Sequence, residues 1–128
     1  MKPLDRTLSA TFPGTPDQVR QARHCLGSWL GRGHPAGDPA VLLLSEAFTN
    51  ATLYASDGPV HLAASLTEGS LRIEVVDPGG RCDPALTPLP PDDAEGGRGL
   101  ALLDLIAKEW GWERLTDRRV RVWFTLLW

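Results

Sequence analysis

Glu46 and Asn50 stand in the middle of an otherwise apolar run, "LLLSEAFTNATLYA", residues 42–55. Four positions apart, they share one face of any helix built from that run, about one turn from each other. A carboxylate and an amide are costly to bury without partners. The pair therefore lies on the solvent edge of the helix or faces a polar occupant. A second acid raises the same question. In "SLRIEVVD", residues 70–77, Leu71, Ile73 and Val75 alternate with Arg72 and Glu74. Extending the period of two puts Asp77 on the apolar face, at the end of a strand. Taken alone, Asp77-Pro78-Gly79-Gly80 also reads as an ordinary turn. The third feature is Glu95-Gly96-Gly97-Arg98-Gly99, which leads straight into an apolar periodic run. Backbone N–H groups at a helix start attract anions, and glycines let a phosphate come close to the main chain. No Gly-Lys-Ser/Thr follows, which excludes a P-loop. A long loop precedes the cluster where a dinucleotide-binding fingerprint needs a strand.

The elements that must position these residues can be read in order. Residues 4–12 alternate and stop at Pro13-Gly14, as an opening strand would. Thr15 is expected to cap a helix running to Leu30, with Val19, Ala22, Leu26 and Leu30 as its buried stripe. Asp38-Pro39 is expected to start the helix that carries Glu46 and Asn50, ending near Ser56-Asp57-Gly58. Two strands, 60–67 and 70–77, form a hairpin at Glu68-Gly69. Residues 79–96 are rich in proline, glycine and acids and have the position of a lid. "GRGLALLDLIAKEW" predicts a third helix, with Leu100, Leu103, Ile106 and Ala107 inward. The closing residues predict a hairpin whose last strand puts Val122, Phe124, Leu126 and Trp128 on one face.

The order β-α-α-β-β-α-β-β predicts an α+β fold: a two-layer sandwich, its mixed, mostly antiparallel sheet covered on one face by about three helices. Residues 1–128 are expected to form a single domain, since 128 residues suffice for one core. A formal net charge of −3 gives no reason to expect a nucleic-acid surface. The absence of a long apolar stretch argues against a membrane span, and the N-terminus lacks a signal-peptide core, so a cytoplasmic protein is expected. Cys25 and Cys82 are isolated and His24, His34 and His61 scattered, so neither a disulfide nor a zinc site is expected.

Together the motifs resemble the histidine-kinase-like ATPase superfamily, also called GHKL or the Bergerat fold, and within it the small stand-alone anti-sigma-factor serine kinases. "SEAFTNATLYA" resembles the N box, "IEVVDPGG" the first glycine box, and "GGRGLALLDLIAKEWGW" the second. The resemblance implies ATP and Mg²⁺ as ligands. It makes Asn50 the Mg²⁺ ligand, Glu46 the catalytic base, and Asp77 the acceptor for the adenine amino group. Gly79 and Gly80 would pass close to the nucleotide, and Gly97, Arg98, Gly99 and Leu100 would form its phosphate side. Arg81 stands where the family usually has a further glycine, which bears on lid geometry. No helical hairpin with a phosphoacceptor histidine precedes these boxes, so a self-contained sensor histidine kinase is not expected. The implied partners are an antagonist protein carrying an acceptor serine, a sigma factor, and a second copy of the chain. The second reading is a non-catalytic nucleotide-binding module that works through protein binding. ATP hydrolysis driving a conformational cycle, as in the larger relatives, ranks third.

Overall fold

The computed structural model describes residues 5–55, 57–79 and 106–128. β1 (Arg6–Phe12) is followed by a short 3-10 turn (Pro16–Gln18), α1 (Val19–Leu30) and α2 (Gly37–Tyr54). Then come β2 (Val60–Thr67), β3 (Ser70–Asp77), β4 (Glu109–Arg114) and β5 (Val120–Leu127). The strands form one sheet in the order β1-β2-β3-β5-β4. Every pairing among the described strands is antiparallel, including the step that brings β5 between β3 and β4. The expected α+β class holds. Two of the three expected helices are described. The third is expected over 97–110, of which 97–105 lie outside the described residues; its expected inward positions Ile106 and Ala107 are both packed on the core.

Each element follows from its apolar period. In α1, Ala22, Leu26 and Leu30 are buried, and Val19 packs on the core from its edge. In α2, Ala40, Leu43, Leu44, Ala47, Phe48 and Ala51 are buried, a stripe wide enough to cover the sheet. Phe48 meets Phe12 of β1 edge to face, with ring centroids 6.0 Å apart. From the sheet, Leu62, Leu71, Ile73, Val75, Val122 and Phe124 close the same core. Removing all of these apolar groups from water is the dominant favourable term in holding the two layers together. The opposite face of the sheet carries polar pairs instead: Arg72 with Glu74, Arg121 with Glu74 and Glu113, and His61 with Ser9 and Thr11.

Four boundaries differ from expectation. Thr15 does not cap α1: its hydroxyl donates to Asp17 Oδ1, and the first turn is 3-10. That contact holds the Asp17 carboxyl below its usual range. Asp38 lies inside the first turn of α2 and does not precede it. The entry is shaped by His34, whose Nδ1 accepts from the Ala36 N–H at 3.0 Å. Trp110 belongs to a strand, opposite Phe124, because pairing with β5 wins over the helical period. Trp128 lies past the end of β5 and is 44% exposed, its ring set edge-on against His34.

Candidate functional site

Glu46 and Asn50 are both half-buried. They occupy the flank of the α2 stripe, next in the helical net to Leu43, Ala47 and Ala51, which are buried. The helix is thus anchored by its apolar face while the two polar residues lie at its margin. The side-chain oxygen of Asn50 is itself shielded from solvent. An amide oxygen at such a depth is a hard, uncharged donor. One such ligand is what Mg²⁺ takes from a protein when phosphates and waters complete its octahedron. Among the described residues no group of three or more His, Cys, Asp or Glu is placed to hold a metal by itself. The described donor, a single amide oxygen, therefore suits an ion carried mainly by a phosphate ligand.

Glu46 also lines a groove of about 710 Å³ between the end of α1 and the start of α2. Arg23, Gly27, Arg32, Asp38 and the exposed Leu42 are among the other residues that line it. Glu46 thus borders this groove on the α1–α2 side, and the lining includes neither Asn50 nor Asp77.

Asp77 lies where the alternation puts it, on the helix-covered face at the last position of β3, and is 8% exposed. Its cross-strand neighbour is Val120, also buried. Burial pushes the carboxyl above the usual carboxylate range, against the opposing pulls of the Gly79 N–H and the Arg114 guanidinium. The Gly79 N–H donates to Asp77 Oδ1 at 2.7 Å, leaving Oδ2 as the second acceptor. Gly79 is required here twice over. Its φ is +83°, and a Cβ would lie 2.1 Å from the carbonyl oxygen of Arg118. The turn after the acid is thus pressed against the β4–β5 hairpin, and Pro78 is pressed in turn against Gly58.

Of the expected site residues, Glu46, Asn50, Asp77 and Gly79 are described, and α2 packs across β3 on the face to which Asp77 points. Gly80, Gly97, Arg98, Gly99 and Leu100 lie outside the described residues, as does the lid expected over 79–96 beyond Gly79. Arg114 and the carbonyl of Arg118 belong to no motif in the sequence, yet both lie at the Asp77 turn. Both reach the Asp77 turn only because β5 inserts between β3 and β4, a pairing no local pattern announces.

The histidine kinase-like ATPase domain pattern matches residues 12–126. A Streptomyces coelicolor protein, the uncharacterised SCO4941, is 48% identical over 58 residues, which are 42% of this chain and 51% of that protein. A crystal structure of the RsbU and RsbW domains of Rv1364c from Mycobacterium tuberculosis superposes with a TM-score of 0.70 at 24% identity. That match covers 95% of this chain and 32% of the solved one, and it speaks for the fold. The chain spans about half the length of the Streptomyces protein (51%). With the pattern running from the end of β1 to the end of β5, and the motif residues seated on α2 and β3 as described, this chain belongs to the histidine kinase-like ATPase domain family.

Proposed function

We propose that this domain binds Mg-ATP and passes its terminal phosphoryl group to a serine of a partner protein, as an anti-sigma-factor-type serine kinase in a partner-switching system. The observation that carries the reading is the pairing of functions on one helix flank. Half-buried Glu46 opens onto a groove, and Asn50 sits one turn further along with a buried amide oxygen. Asp77, at the neighbouring strand end, supplies a buried acceptor of the kind an adenine amino group needs.

Each residue then has a physical task. Asp77 accepts the amino hydrogen through Oδ2, its carboxylate oriented by the Gly79 N–H. A guanine in the same place would turn a carbonyl toward the carboxylate and be rejected. Asn50 would hold the metal through its amide oxygen. The Mg²⁺ ion, when bound, neutralises charge on the phosphates. Glu46 takes the proton of the serine hydroxyl while that oxygen bonds to the γ-phosphorus and the bond to the β,γ-bridging oxygen breaks, leaving ADP. The open groove beside Glu46 gives a protein segment room to present its serine. Gly97, Arg98, Gly99 and Leu100 would face the phosphates at the start of the third helix, as the family motif implies, and Gly80 would continue the turn after Asp77. A sigma factor as second partner, a homodimer as the working form and a cytoplasmic setting complete the proposal, as the family resemblance implies.

The test separates binding from transfer. Glu46→Ala should keep Mg-ATP affinity within about twofold and slow phosphorylation of an antagonist protein by about 10²–10⁴-fold, the scale of a general base. The antagonist's own serine-to-alanine variant is the control. Transfer undiminished in Glu46→Ala would remove Glu46 from the mechanism. Binding without transfer in the wild type as well would make the domain a regulatory module that works through protein contacts.

A further inference from the structure

Arg114, at the end of β4, pairs with Val120 of β5, and Val120 pairs with Asp77 of β3. The three side chains therefore form one row across the sheet and leave it on the same face. Two strand spacings separate the backbones of Arg114 and Asp77, roughly 10 Å, a distance an arginine can largely span. Its guanidinium does so. Nη1 lies 3.7 Å from the point a Cβ on Gly79 would occupy, and 3.5 Å from the carbonyl oxygen of Arg118, at the long limit of a hydrogen bond. That same carbonyl is the one pressed against Gly79. The guanidinium thus lies beside the point where the acid turn and the β4–β5 hairpin meet.

We propose that Arg114 is a positioning residue of the nucleotide site, bracing the Asp77-Pro78-Gly79 turn so that Asp77 Oδ2 faces an adenine-type amino group. The inference rests on the nucleotide reading above. Two consequences follow from charge and geometry together. Among the described residues, Arg114 is the charged side chain whose field reaches the Asp77 carboxylate, which also has the Gly79 N–H and the buried Val120 beside it. Without Arg114 the buried acid is harder to ionise. A protonated acid is a poorer acceptor for an amino group, so ATP binding would fail sooner as the pH falls.

The experiment uses Arg114→Met and Arg114→Lys in the full chain. Carbon-13 NMR follows the Asp77 carboxyl through a pH titration without nucleotide, its resonance assigned by difference from Asp77→Asn. ATP binding is measured over the same pH range. In Arg114→Met the Asp77 titration should move to higher pH, and the acidic limb of ATP binding should move with it. Affinity near the foot of that limb should drop about two- to fivefold, the scale of an opposite charge on an exposed side chain. Arg114→Lys should return both toward wild type. An unmoved Asp77 titration in Arg114→Met overturns the proposal. So does an affinity loss equal at all pH values, which would mark a merely structural role. If the wild type binds no ATP at any pH, the nucleotide reading itself has failed, and the bracing role falls with it.

Discussion

Asp77 is the residue at which folding and binding pull in opposite directions. Its carboxyl is raised in the fold by desolvation, so the folded state binds its proton more tightly than the unfolded chain does. The sign follows from linkage: no penalty is felt below the unfolded carboxylate value of about 3.9, and stability is lost as the pH rises through the higher folded value. Asp77→Asn keeps an oxygen for the Gly79 N–H and removes the buried charge. The ligand-free variant should therefore be more stable than wild type at neutral pH, with the gap closing as the pH falls toward about 4. Thermal unfolding across pH checks this, and parallel curves would contradict it. The same variant should lose its preference for ATP over GTP in competition binding. A residue that weakens the empty protein and sharpens the loaded one is what a binding role predicts.

At the scale of elements, α2 is held by packing and its two polar residues are carried along. Phe48→Ala should cost about 3–5 kcal/mol in denaturant unfolding, since the ring is fully buried against Phe12 and the sheet. The turn after β3 is held by steric fit. Gly79→Ala would force a Cβ onto the Arg118 carbonyl at a positive φ, and should cost about 1–3 kcal/mol and weaken ATP binding with it. A Gly79→Ala variant as stable as wild type would show that the turn can open freely. These elements were legible to different degrees. The α2 stripe, the β2–β3 hairpin and the inward aim of Asp77 follow from local period alone. The strand identity of Trp110 and the exposure of Trp128 do not, because each depends on a partner distant in sequence: Phe124 for one, His34 for the other. The 3-10 start before α1 was hidden for a related reason. Thr15 has two acceptable uses for its hydroxyl, and the contact with Asp17 prevails.

At the scale of the molecule, one sheet face is closed by helices, and the candidate groups sit at the margins of that closed layer. The motif residues Glu46, Asn50 and Asp77 could be read because each breaks an apolar period, and a broken period is visible without coordinates. Arg114 could not, since it joins the site only through the insertion of β5 between β3 and β4. The proposed Mg-ATP site of this layer depends above all on Asn50. Thermal unfolding of wild type and Asn50→Ala, each with and without Mg-ATP, tests it most directly. Nucleotide at about a hundred times its dissociation constant should stabilise the wild type by roughly 2.7 kcal/mol and leave Asn50→Ala nearly unmoved. Equal stabilisation of both proteins, or none of either at millimolar Mg-ATP, would contradict the claim.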